Sequence, residues 1–136
     1  MTDSSVQHIN PDSLNKNRAF TNVIVVTGNV KTVYIGGQDA IDASGVIVGK
    51  GDFKAQVEKI FENLQAALAA GGASLEHVIK WNIYIVQGQP LQVGFEVFQR
   101  VWGNRPNPPT ITGMYVVGLA NPDFLCEMDA IAVVPQ

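Results

Sequence analysis

The spacing of apolar side chains predicts an amphipathic helix from Phe53 to Ala70. Apolar residues recur there at i, i+3, i+4, i+7 and i+11, and charged or amide side chains occupy the other faces. The apolar positions are Val57, Ile60, Phe61, Leu64 and Leu68. Asp52 is placed to cap the first turn, and Gly71 and Gly72 are placed to end the helix in a left-handed conformation. One apolar face of this helix is therefore expected to pack against the core.

A second helix and the strand before it follow from the same kind of pattern. Residues 78–86 alternate with period two, with Ile79, Trp81, Ile83 and Ile85 expected on one face and Lys80, Asn82 and Tyr84 on the other. Next, apolar side chains recur at i, i+4, i+7 and i+11 until Gly103 and the proline-rich residues 106–109 stop the helix. Those side chains are Leu91, Phe95, Phe98 and Trp102.

The two ends of the chain predict strands. Residues 20–26 and 31–37 are β-branched segments around Gly28-Asn29, which predicts an opening hairpin, and residues 46–48 predict a short third strand. Residues 110–118 and 125–134 predict the last two strands. In the final strand Cys126, Met128, Ala130 and Ala132 point one way, and Glu127 and Asp129 point the other way. Residues 1–19 lack periodicity and predict an irregular N-terminal arm.

This order of elements predicts an α+β fold. Three strands, a helix, a strand, a helix and two strands favour a single mixed β-sheet with both helices packed on one face. The whole of residues 20–136 then forms one domain. The other face of the sheet needs a cover, which a subunit interface would supply.

Composition agrees with one compact domain and limits the classes of partner that the chain is expected to bind. The chain has 136 residues, of which 46% are hydrophobic and 15% are charged, so we expect some apolar surface to be covered by other subunits. The net charge of −3 and the absence of a basic stripe argue against nucleic acid as the main partner. With one cysteine, no signal segment and no apolar run of membrane-spanning length, the sequence predicts a soluble, cytoplasmic protein without a membrane partner.

Several short segments, in their order and spacing, resemble the RidA/YjgF family. Its members are also called reactive intermediate deaminases, and some are named endoribonuclease L-PSP-like. The resemblance covers about residues 20–134. The matching segments are Ile35-Gly36-Gly37-Gln38, Gln56 with Asn63-Leu64, Gly71-Gly72 through Val78-Ile79-Lys80, Phe95-Glu96-Val97-Phe98, and Cys126 through Ala132. The resemblance implies a chorismate-mutase-like fold, a homotrimer with a cleft between each pair of subunits, a small-molecule ligand in that cleft, and neither metal nor organic cofactor.

The resemblance also implies an activity, the hydrolysis of enamines and imines to 2-keto acids and ammonia. An imino acid carries a carboxylate that needs a cation or N–H donors, and its C=N carbon needs a positioned water with a proton acceptor nearby. Glu127 matches the family glutamate that orients this water, so it is the candidate catalytic residue. Taken without the resemblance, a carboxylate on a sheet face is more often solvated or paired at an interface.

The chain departs from the family pattern at the ligand-binding positions. Ile111 stands at the position of the carboxylate-binding arginine, and an isoleucine offers an anion only backbone groups. The other candidate ligand-binding positions are Phe20, Gly36, Gly37, Gln92 and Thr112, among which Phe20 replaces an aromatic hydroxyl, Gly36 a serine and Gln92 an asparagine. Arg105, in the loop before Ile111, is either a substitute cation or a surface arginine.

Two functions therefore stay open. The first is a deaminase-type hydrolase that uses Glu127, and the second is a non-catalytic or differently specific binder of small, apolar or uncharged molecules in the same cleft. A ribonuclease is disfavoured by the acidic balance and by the absence of a catalytic His or Lys pair. His8 and His77 lack metal-ligand spacing and are expected to face solvent, and Cys126 is expected in the core rather than as a nucleophile.

Overall fold

The computed structural model describes residues 3–136, which form six strands, two α-helices and one short 3-10 helix. The elements are β1 Ser5–Ile9, β2 Val23–Thr27, β3 Val30–Gln38, α1 Phe53–Ala70, the 3-10 helix Leu75–His77, β4 Val78–Val86, α2 Leu91–Trp102, β5 Thr110–Val116 and β6 Cys126–Pro135. No helix in this part of the chain is both long enough and apolar enough to cross a membrane.

The main sheet has four strands in the order β3-β6-β4-β5. The pairs β3-β6 and β6-β4 are antiparallel, and β4-β5 is parallel, so the sheet is mixed as predicted. Helix α1 packs against β3, β6 and α2, which places both helices on one face. We name this the helix face, and we name the opposite side, which carries Glu127 and Asp129, the carboxylate face. The α+β prediction is confirmed.

Aromatic side chains fill the space between the helices and the sheet. The ring of Trp81 on β4 lies 5.3 Å from that of Phe61 on α1 and 5.4 Å from that of Phe98 on α2, both edge to face. Such pairs add roughly 0.5–1.5 kcal/mol each beyond the burial of apolar area. In β6 the predicted inward residues Cys126, Met128, Ala130 and Ala132 are all buried. The core therefore lies where the sequence pattern predicted it.

The ends of α1 are also as predicted, with one change. The Asp52 side chain accepts a hydrogen bond from the Ala55 N–H at 3.1 Å and so caps the first turn. At the other end only Gly72 is left-handed, with φ +75°, whereas Gly71 has φ −87°. The helix thus terminates within the predicted glycine pair.

The predicted opening hairpin is wrong. Strand β2 pairs with β1 in a separate two-stranded sheet, and β3 pairs with β6 along most of its length. A turn signal at residues 28–29 specifies a change of direction but not a partner, because pairing depends on which faces are buried. Val6 and His8 of β1 are half-buried, so residues 5–9 of the predicted irregular arm are an ordered strand.

Two further strand predictions need correction. Residues 46–48 form no strand, and only an isolated bridge joins Ile41 to Ile47. The Asp42 side chain there accepts hydrogen bonds from the N–H groups of Ser44 and Val46, so a turn competes with the extended chain. In β4 a bulge between Val78 and Lys80 removes Ile79 from the face that carries Trp81.

Candidate functional site

The predicted site residues lie on opposite faces of the main sheet. Ile111 pairs with Trp81 and lies on the helix face, whereas Thr112 pairs with Asn82 and lies on the carboxylate face. Glu127 pairs with Tyr84, also on the carboxylate face. A single chain therefore does not bring Ile111 and Glu127 together.

On the carboxylate face, Gly37 leaves the space that the Glu127 side chain occupies. A Cβ atom added to Gly37 would lie 2.6 Å from Glu127 Oε2 and 3.0 Å from its Cδ, which is closer than van der Waals contact allows. A Cβ added to Gly36 would meet nothing within 4 Å. Of the two glycines, only Gly37 therefore lies in close contact with another side chain, which is that of Glu127.

Asp39 also belongs to this cluster, and the sequence pattern does not predict it as a site residue. Burial, a side-chain hydrogen bond with Glu127 and repulsion from that carboxylate raise the pKa of Asp39 to about 7. Two carboxyl groups in contact share one proton more readily than they both ionise. The Oδ1 atom of Asp39 is buried without a hydrogen-bond partner. The only available signal was an ionisable residue directly after the Gly37-Gln38 end of β3.

The neighbouring carboxylate, Asp129, is fully engaged. Asn82 Nδ2 donates to its Oδ1 at 2.8 Å, and the Tyr84 hydroxyl donates to its Oδ2 at 3.0 Å. This hydrogen bond to Asp129 raises the pKa of Tyr84. Lys80 Nζ donates to Thr112 Oγ1 at 2.7 Å and places a cation on the same face. Asp129 is thus a structural partner, and Glu127 with Asp39 is the chemically available pair.

On the helix face, Phe20 and Ile111 line one apolar cavity of about 260 Å³. Thr21 fixes Phe20 at this place, because its N–H donates to the Pro109 carbonyl at 3.0 Å beside the start of β5. Other side chains that line the cavity are Phe53, Ile83, Leu91, Phe95 and Met128. This explains why Leu91 and Phe95, predicted within a buried stripe, are 52% and 38% exposed.

The other predicted residues lie outside this cavity. Gln92 is exposed and its Nε2 is 3.5 Å from Glu96 Oε1. Arg105 donates from Nη1 to the carbonyls of Val101 at 3.1 Å and Trp102 at 2.9 Å, so its guanidinium caps the end of α2. The substitute-cation interpretation of Arg105 is therefore not supported.

The two histidines and the cysteine lie in environments that indicate structural and not catalytic roles. His8 and His77 are half-buried and line a common cavity of about 250 Å³ beneath β1, so each is only partly exposed to solvent. His77 Nδ1 accepts from the Ser74 N–H at 3.0 Å. Between residues 3 and 136 no three His, Cys, Asp or Glu side chains are grouped to hold a metal ion. Cys126 is buried, and burial raises its pKa to about 12, which leaves it a thiol.

Comparison with known proteins gives consistent matches. The family model described as Endoribonuclease L-PSP matches residues 12–134. A RutC family protein of Pyrococcus abyssi is 33% identical over 100 residues, which cover 74% of this chain and 76% of that protein. A structure of YyfB, from the conserved Rid protein family of Yersinia pestis, superposes with a TM-score of 0.83 at 26% identity and covers 95% of this chain and 98% of that one. TdcF of E. coli with bound serine superposes with a TM-score of 0.68 at 27% identity, over 76% of this chain and 80% of that one.

Proposed function

Because the chain belongs to the RidA/YjgF family, we propose that it is a homotrimeric hydrolase that converts enamines or imines to keto compounds and ammonia in clefts between subunits. One observation carries the assembly part of this proposal: Glu127 and Ile111 lie on opposite faces of one sheet. A second copy that presents its helix face to the carboxylate face of the first would complete a site that one chain leaves divided.

The carboxyl pair supports the hydrolytic part. Glu127 accepts a proton from a water molecule as the water oxygen bonds to the C=N carbon, and it passes this proton to the imine nitrogen. Glu127 then transfers the hydroxyl proton of the resulting carbinolamine to the amino group, the C–N bond breaks, and ammonia leaves as the C=O bond forms. Asp39 holds the proton shared with Glu127 and is the positioning residue that fixes its orientation. Water is the only co-reactant that this balance needs.

The direct test is ammonia release from freshly generated 2-aminoacrylate. We expect the parent protein to accelerate release and Glu127→Gln to reduce the acceleration at least tenfold, since general acid–base groups contribute roughly 10²–10⁴-fold. Glu62→Gln is the matched control, because Glu62 is an exposed carboxylate on α1 that pairs with Lys59. No acceleration by a folded parent at high protein concentration would refute the hydrolase.

A second candidate, a binder of uncharged or apolar small molecules without turnover, is favoured by one specific observation. The cavity beside Ile111 and Phe20 presents apolar side chains where the family holds a cation and a hydroxyl. A ligand that binds the folded state raises Tm. Uncharged metabolites should then raise Tm more than keto acids do, and a preference for keto acids would contradict this candidate.

Ile111→Arg separates the two functions. If the hydrolase site lacks only its cation, this variant should gain imine hydrolysis over the parent, since it restores a charged partner for the substrate carboxylate. It should also lose affinity for apolar ligands, because the guanidinium occupies their cavity. A folded variant with unchanged hydrolysis would show that other departures, such as Phe20, also limit the site.

A further inference from the structure

The apolar cavity beside Ile111 continues into an outer groove that contains a cation. The outer groove has a volume of about 490 Å³ and runs along α2 as far as Trp102 and Gly103. Asn17, Ala19, Phe95 and Phe98 line both spaces. The two spaces are therefore adjoining parts of one depression between residues 17–20 and α2.

Among residues 3–136, Arg18 is the only charged side chain that lines either space. The chain holds it there with a tight local turn, in which the Ala19 N–H donates to Asn17 Oδ1 at 2.8 Å and Asn17 forms a bridge with Phe20. Arg18 is exposed, and within residues 3–136 it makes neither an ion pair nor a side-chain hydrogen bond. Within one chain its guanidinium is therefore free to bind an anion.

The wall of the groove is aromatic. The ring of Phe98 lies 6.4 Å from that of Phe95 and 6.2 Å from that of Trp102, with interplanar angles of 22° and 6°. Flat rings in this arrangement favour a flat or branched apolar group, and a cavity of about 260 Å³ lies just below the roughly 300–1,000 Å³ of pockets for drug-sized ligands. The inner space suits a group no larger than a substituted ring.

We propose that this groove binds a small aryl or branched-alkyl carboxylate, with its apolar group in the cavity beside Ile111 and its carboxylate on Arg18. This ligand class goes beyond the second candidate function, because it uses the same apolar cavity but takes an anion whose charge lies on Arg18, and it does not require hydrolysis. The cation that binds the carboxylate is then Arg18 in the turn, and not an arginine at the strand position of Ile111, where the family has one.

The test uses the full chain and a homologous series of acids: benzoate, phenylacetate and 3-phenylpropanoate, each beside its neutral amide. Affinity is measured by calorimetry and by tryptophan fluorescence, to which Trp102, in the lining of the outer groove, contributes together with the core residue Trp81. We expect one member of the series to bind at least tenfold more tightly than its amide, and acetate not to bind. An amide that binds as well as every acid would overturn the proposal.

Two variants locate the ligand. Arg18→Gln should reduce the affinity for the best acid to that of its amide, whereas Arg100→Gln, which removes an arginine paired with Glu58, should leave it unchanged. Gly94→Leu should abolish binding of acid and amide alike, because Gly94 lines the cavity and its Cβ would already lie 3.3 Å from the Phe53 ring. Equal effects of Arg18→Gln and Arg100→Gln would refute the role of Arg18.

Failure of this proposal is distinguishable from failure of the hydrolase. A folded parent that binds no member of the series overturns the ligand class, whatever its ammonia release. A change of oligomeric mass in Gly94→Leu, seen by light scattering, would show that a second copy fills the groove and would also overturn the proposal.

Discussion

Among single residues, the pair of glycines at the end of β3 offers an internally controlled experiment. Gly37→Ala places a Cβ 2.6 Å from Glu127 Oε2, so the carboxylate must move, whereas Gly36→Ala adds a methyl group in open space. Neither glycine has a positive φ, so backbone strain does not separate them. We expect Gly37→Ala to lower the rate of ammonia release at least tenfold and Gly36→Ala to change it less than twofold. Equal rates in the two variants would remove Gly37 from the site.

Asp39 makes the stability of the fold depend on pH in a stated direction. Its pKa is about 7 in the folded chain against an ordinary value of 3.8, so the folded state holds the proton more tightly. The resulting stabilisation is fully present below pH 3.8 and is lost as the pH rises to about 7. Asp39→Asn should therefore increase the free energy of unfolding at pH 8 by about 1 kcal/mol, discounted for partial exposure, and change it little at pH 4.

Urea denaturation at pH 4, 6 and 8 measures this effect. Asp12→Asn is the control, since Asp12 is an exposed carboxylate paired with Lys16. A gain at pH 4 as large as that at pH 8 would mean that Asp39 destabilises the fold for reasons other than its charge.

The sequence supported some of these residue predictions better than others. Glu127 was identified through a local motif, and its face followed from simple alternation along β6. The contact between Asp39 and Glu127 was not predictable in this way, because it joins the end of one strand to the start of another 88 positions later in the chain. Nothing in the local pattern of either segment specifies the contact between these two side chains.

Among the elements, both helices and β4 have the predicted bounds, whereas the predicted pairing of β2 with β3 is wrong. A helix satisfies its hydrogen bonds within its own segment, so its spacing and caps specify it locally. A strand needs a partner from elsewhere, and the apolar content of β2 did not show that residues 5–9 rather than β3 would supply it. The bulge that reorients Ile79 is likewise set by β6.

Gln56 connects α1 to two loops, and its removal should weaken the fold. Its side chain is fully buried, its Nε2 donates to the carbonyls of Gly49 and Asp123 at 3.1 and 2.9 Å, and its Oε1 accepts from the Leu125 N–H at 2.9 Å. Gln56→Ala leaves these backbone groups unpaired in the interior, which costs roughly 1–3 kcal/mol for each buried group. We expect a loss of about 3 kcal/mol in the free energy of unfolding.

Urea denaturation against Gln65→Ala, an exposed glutamine on the same helix, checks this prediction. Both substitutions raise helix propensity similarly, so the difference between them isolates the buried hydrogen bonds. A loss below 1 kcal/mol relative to Gln65→Ala would mean that water replaces the amide in the interior.

At the scale of the whole molecule, the carboxylate face leaves apolar surface uncovered. Tyr34 is 77% exposed and Met114 is 47% exposed, and β1 and β2 cover only the end of the face near Val133. Apolar surface that is uncovered in one chain is typical of an interface between copies. If this surface is covered in the proposed homotrimer, light scattering should give a mass of about three times the 14.7 kDa of the chain.

A divided site makes a stronger prediction than the mass. If each cleft takes its carboxylate face from one subunit and its helix face from the next, two inactive variants with defects on different faces should restore activity when mixed. Glu127→Gln disables the carboxylate face, and Ile111→Asp places a charge in the cavity of the helix face. After unfolding and joint refolding in equal amounts, about a quarter of the clefts combine two intact faces, so ammonia release should return to about a quarter of the parent rate.

Mixing Glu127→Gln with Gly37→Ala is the control, because both defects lie on the carboxylate face and no cleft regains an intact one. Equal recovery in the two mixtures, or none in either from refolded trimers, would show that each site belongs to a single chain.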